Sequence, residues 1–182
     1  EPRLLRVHKQ LYSNYAYWDN QALGDVMAEY AELGGGVVTM NGENILFANS
    51  EKWSLGGKWR SEGYSLFKIE SQYSRKSMGL GKVSIPAHPL LMEVNSFSGT
   101  FRISHSELQP HTSLVASWED GSPLVTVRDD KGTIVDLNFF PTHKQWEKST
   151  DGLKLIENDL NWTSCQDAPK WITGDPLIGS ID

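Results

Sequence analysis

AEYAELGGGVVTMNGEN, residues 28–44, is the stretch on which the fold turns: a helical period runs into three glycines, a short apolar run and a polar turn. Upstream, Leu23, Val26, Met27, Tyr30 and Ala31 recur at helical spacing, with Asp25, Glu29 and Glu32 on the other side. Asp19 or Asn20 supplies the N-cap. Glycine accepts the left-handed conformation of a helix C-cap, so Gly34, Gly35 and Gly36 end that helix. Val37-Val38-Thr39-Met40 shows no alternation, as expected of a strand buried on both faces in a sheet interior. A phosphate cradle places its glycines after a strand and before a helix. Here the order is reversed, so these glycines end a helix and hold no phosphate.

Working outward, residues 10–13 read as a short strand, and NYAYWDN as the turn after it. Residues 41–80 carry no sustained period, and irregular segments of that length are functional or disordered. Trp53, Trp59, Tyr64, Phe67 and Tyr73 are too many aromatics for disorder. The segment therefore reads as an ordered excursion over the C-terminal edge of the sheet. GKVSIPA, residues 81–87, is a strand that leads into His88-Pro89. Residues 113–118, 123–128 and 133–140 read as strands joined by EDGS and DDKG, whose Asp/Gly chemistry makes tight hairpins. A last helix near 151–162, capped near Ser149 or Thr150, puts Leu153, Ile156 and Leu160 on one face. Residues 166–182 then read as an extended C-terminal arm.

The 182 residues are 38% hydrophobic and 22% charged, enough for one domain with a sizeable core. The net charge is −6, and the basic groups around Arg3, Arg6, His8 and Lys9 and along 68–82 are diluted by acids and hydroxyls. That balance argues against a nucleic-acid partner. No apolar run approaches the ~18–20 residues of a membrane span, so the chain reads as soluble. Cys165 is the only cysteine, which excludes an intrachain disulfide framework and a cysteine-based metal cluster. Asn161-Trp162-Thr163 is a glycosylation sequon that leaves the compartment open. The chain starts at Glu1 without Met or an apolar signal region, and so reads as a processed or excised piece.

ALGDVMAEYAELGGGVV, GGKWRSEGYSLF, HPLLMEVNSF, LVASWEDGSPLVTVR, GTIVDLNFFP and STDGLKLIENDLNW follow one another in an order that resembles ThuA-like domains. Those domains belong to the class I glutamine amidotransferase-like superfamily. The resemblance covers residues 10–162 and implies an α/β fold: a flavodoxin-like sandwich with a mostly parallel central sheet and an antiparallel extension. It sets residues 1–165 as the domain. The family opens with a further strand and helix, of which only a remnant fits before Gln10. Amidotransferases of the superfamily also carry a cysteine on a strand-to-helix elbow. Here the strand ending at Met40 runs into Asn41-Gly42-Glu43, Cys165 lies beyond the last helix, and no Gly-x-Ser-x-Gly replaces the elbow. The Cys-His-Glu mechanism is absent.

His88 stands where ligands of α/β folds bind, as a general base or ligand, or else as the histidine that fixes a His-Pro turn. His105, His111 and His143 match no ligand spacing with it, so no metal site and no cofactor is expected. Asn41 and Glu43 occupy the elbow position, as pocket groups or as a polar turn. Ser13 would be a nucleophile only with a histidine beside it. Trp53, Trp59, Arg60 and Tyr64 form the densest set of binding-type residues, and the alternative is that the tryptophans pack their loop onto the sheet. The expectation is a non-catalytic module that binds a protein chain or a glycan through the aromatic loop and the C-terminal tail. The alternative is a carbohydrate-active hydrolase or isomerase using His88 with Asn41 or Glu43.

Overall fold

A computed structural model describes residues 19–40, 54–68, 72–104, 107–140 and 146–164. In chain order its elements are α1 (Asn20–Glu32), β1 (Val37–Met40), α2 (Gly57–Ser61), β2 (Tyr73–Ser74), β3 (Met78–Val83), a 3-10 turn (Pro89–Leu91), β4 (Ser98–Gly99), β5 (Arg102–Ile103), β6 (Ser113–Trp118), β7 (Pro123–Arg128), β8 (Ile134–Leu137) and α3 (Gly152–Ser164). The expected strand at 10–13, the arm at 166–182, and Ser13, Asn41, Glu43, Trp53, His105, His143 and Cys165 lie outside the described residues.

α1 is capped by Asp19, whose carboxylate accepts from the N–H groups of Gln21 and Ala22 at 3.1 and 3.0 Å. It ends as its glycines dictate. Gly34 takes φ 85°, its N–H donates to Ala31 O, and the Gly35 N–H donates to Tyr30 O, the paired closure of a Schellman motif. The buried face differs from the expected stripe: Met27, Ala28, Tyr30 and Ala31 are buried, but Val26 is 54% exposed. The reason is α2, which lies against the Gly24–Ala28 side. A Cβ on Gly24 would run into the Gly56 carbonyl, so small residues turn the helix toward that contact.

The sheet corrects the expected architecture. Its strands run β1-β8-β7-β6-β3-β4, with a separate β2–β5 pair. Only β1–β8 is parallel, Val37 opposite Ile134 and Thr39 opposite Asp136. The ladders β8–β7, β7–β6, β6–β3 and β3–β4 are all antiparallel. The result is a curled, antiparallel-rich mixed sheet with few helices, and not a flavodoxin-like, mostly parallel α/β sandwich. The cause is local: EDGS and DDKG close tight hairpins, whereas parallel neighbours need a crossover of about a dozen residues or more. The 113–140 meander thus stands as expected, but β1 ends the described sheet instead of lying inside it. β7 and β8 form the interior, with every residue buried.

Two apolar clusters lie on the sheet. One gathers Met27, Tyr30, Val37, Trp59, Tyr64, Phe67 and Ile134 under α1 and α2. The other gathers Leu90, Phe97, Trp118, Val135, Leu137, Phe139, Trp146 and Leu155 beneath α3 and the 3-10 turn. α3 buries a different face from the one expected. Leu153 is 70% exposed, while Gly152, Leu155, Asn158, Asp159 and Thr163 are buried. Apolar periodicity misses that stripe because most of it is polar.

Candidate functional site

The aromatic loop folds inward. Trp59 is fully buried, Tyr64 is buried at 2% exposure, and their rings stack at 5.8 Å and 25°. The Tyr64 hydroxyl donates to Glu32 at 2.5 Å, and burial, then that bond, push its phenol above its ordinary range. Lys131 lies 4.7 Å over its ring. Arg60 is half-buried and donates to Ser54 Oγ at 2.5 Å. Arg128 reaches across to Gly63 O and Lys131 to Glu62 O, tying this loop to the β7–β8 hairpin. The glycines of LGGKW serve that packing. Trp59, Arg60 and Tyr64 lie together, and Trp59 and Tyr64 turn their faces to the core.

His88 is held at the entry to the 3-10 turn. Its Nδ1 accepts from the Leu90 N–H at 3.3 Å, and its ring meets Trp162 of α3 edge-on at 5.3 Å. Burial lowers its pKa below 6.5, which favours the neutral imidazole. His88 is therefore a capping residue at a helix–turn contact. His111 is exposed, at a positive φ of 66° before β6.

Beside His88, the chain builds a corner that sequence patterning does not reveal. Leu90 and Leu91 anchor the turn in the core. The Asn158 amide of α3 donates to Leu90 O at 3.1 Å and to Met92 O at 2.8 Å. Asp151, just before α3, accepts from the N–H groups of Asn95 and Ser96 at 2.8 and 2.9 Å. Between those clamps Glu93 adopts φ 61°, a left-handed conformation that costs a non-glycine residue energy and recurs at functional sites. Lys154 pairs with Glu93 at 3.4 Å and with Glu157 at 3.3 Å. Held this way, Met92 is 60% and Leu153 70% exposed, and Ile85 at the start of the connection is 38% exposed. The rim is acidic, with exposed Glu93 and Glu157 on either side of Lys154. The one signal in the sequence is Leu153, which apolar spacing places on one face with Ile156 and Leu160.

Two further acids are buried. Asp136 of β8 accepts from Thr39 Oγ1 at 2.7 Å, and strand alternation puts both on the face of Val37 and Ile134. Asp159 lies on the sheet-facing side of α3, fully buried, with neither carboxyl oxygen hydrogen-bonded. Burial first, and the charge of Asp136 second, push its pKa well above 3.8.

No protein-family model matches the chain, and no curated protein matches it. Among solved structures it is similar to the Cytoplasmic Protein STM1381 from Salmonella typhimurium LT2, with a TM-score of 0.52 at 11% identity. The match covers 78% of this chain and 58% of that protein, so this chain spans little more than half its length. At that identity the likeness is one of fold alone. Among the described residues no helix is long and apolar enough to cross a membrane.

Proposed function

We propose that this chain is a non-catalytic binding module, with sequence kinship to ThuA-like domains, that docks a protein partner at the corner formed by the 3-10 turn and α3. The observation that carries the reading is the joint exposure of Met92 and Leu153 on backbone clamped by Asn158 and Asp151. Exposed apolar groups held on rigid backbone with a polar rim are the marks of an interaction site. Aliphatic Met92 and Leu153 suit a protein better than a glycan, because sugars are recognised by exposed aromatic faces and Trp59 and Tyr64 are buried. The acidic rim favours a partner that brings basic groups around an apolar contact. The kinship rests on the order of six motifs and lends no catalytic machinery.

The test compares proteins retained by the immobilised chain with those retained by a Met92→Ser/Leu153→Ser variant of unchanged melting temperature. A partner whose affinity falls by about 2 kcal/mol or more in the variant is the expected result. Turnover of a glycoside or sugar substrate that disappears in His88→Ala would favour the carbohydrate-enzyme alternative and overturn the reading.

A further inference from the structure

α3 is seated on the sheet by little apolar surface. Leu155 is its one fully buried large side chain, Ile156 and Trp162 are partly buried, and Leu153 points to solvent. The rest of the buried stripe is Gly152 against Trp146 and Phe97, Asn158, Asp159, and Thr163 against Gly36. A carboxylic acid in such a stripe is tolerated when neutral, but a carboxylate there has lost its water and gained no donor. Neither oxygen of Asp159 has a hydrogen-bond partner, and both are sealed from solvent.

We propose that the seating of α3 on the β1–β8 pair is proton-dependent: Asp159 latches the helix down while it carries its proton and releases it on ionising. The 3-10 turn, β1 and β8 pack against α3, and Phe97 and Trp146 meet its first residue, Gly152. β1 has no titratable side chain, and the turn itself has none. β8 brings Asp136, whose negative charge acts through the sheet against ionisation of Asp159. At the ends of the turn His88 rests on Trp162, and Glu93 pairs with Lys154. On α3 itself Lys154 and Glu157 pair with each other. Among the described residues, then, no cation offsets a charge on Asp159.

The direction follows from linkage. Where the seated helix holds a proton that the released helix gives up, release becomes easier as pH rises, from about the ordinary aspartate value up to the raised one. One proton corresponds to about tenfold in the opening equilibrium per pH unit across that window. The latch does not depend on what docks beside it.

Amide hydrogen exchange on the wild-type chain and on Asp159→Asn tests this, with rates corrected for base-catalysed intrinsic exchange and β7 amides as internal reference. The expected result is that wild-type α3 loses about tenfold protection per pH unit through the window while β7 holds. In Asp159→Asn the α3 amides should keep the low-pH protection throughout. Flat wild-type protection of α3, or an unchanged fall in the variant, overturns the proposal. Should the variant not fold, infrared spectroscopy of the wild-type chain carrying carboxyl-labelled aspartate decides. A protonated-carboxyl band is expected at a pH where ordinary aspartates are ionised, and its absence overturns the proposal.

Discussion

Trp59 is fully buried and stacked on Tyr64, with its Cβ against the Gly24 position of α1. Truncating a side chain of that size in a close-packed core removes both its transfer energy and its contacts. Trp59→Ala should therefore cost about 3–5 kcal/mol in urea unfolding, where a surface anchor would cost almost nothing. Tyr64→Phe removes only the hydroxyl that meets exposed Glu32 and should cost about 1 kcal/mol. A cost for Trp59→Ala below that of Tyr64→Phe would return the aromatic loop to the list of binding surfaces. Residue types marked this loop as important, and it is, but aromatics plus arginine are as suited to packing as to recognition. Nothing in Trp59 or Arg60 as letters distinguishes the two uses. The decision lies with Gly24 and Gly56, distant and adjacent glycines that let α1 and α2 close over the ring.

At the scale of elements, α1, its Asp19 cap and its glycine stop were all legible, because caps and stops are local chemistry. The two hairpins were legible for the same reason. The three glycines after α1 differ in use, and that difference was not legible. Gly34 supplies a positive φ of 85°, whereas a Cβ on Gly36 would run into the Thr163 carbonyl of α3, a contact made across the whole chain. Gly34→Ala should then cost about 1–2 kcal/mol, the penalty of a left-handed non-glycine residue. Gly36→Ala should cost more and lower protection of α3 as well, since either β1 or α3 must shift. Thermal melts of the two variants, read with exchange at residues 155–164, check this; equal losses with α3 untouched would contradict it. α3 was legible as a helix but not by its face, because it buries Asn158, Asp159 and Thr163 and exposes Leu153.

Over the whole molecule, the sheet was misjudged where strand order is set by long connections: β1 joins β8 across almost a hundred residues, and no local signal fixes which neighbour it takes. The corner at Met92 was hidden for the same reason, being assembled from two segments clamped by Asn158 and Asp151. The titratable groups add up across those segments to a stability profile with two limbs. The Arg128 guanidinium, hydrogen-bonded to Asp130, holds that carboxyl below 3.8. It therefore contributes stability that is present above the ordinary aspartate value and is lost as pH falls through the lowered one. His88, whose pKa burial lowers, acts on the same side: its contribution is present above 6.5 and is lost as pH falls through the lowered value. Asp159 opposes both. Its pKa is raised, so the stability it allows is complete below 3.8 and is lost as pH rises toward the folded value. Asp159→Asn should therefore stabilise the protein near neutral pH, by about 1.4 kcal/mol for each pH unit over which the unfolded acid ionises and the folded one does not, because the amide cannot ionise. The acid limb should stay in place, because Arg128–Asp130 and His88 are untouched. Asp130→Asn should do the reverse, lowering stability on the neutral side, where the carboxylate pairs with Arg128, and flattening the acid limb. Melting temperatures across the pH range for the two variants and the wild type check both signs at once. An Asp159→Asn profile parallel to the wild type would mean that the buried acid is ionised in the fold.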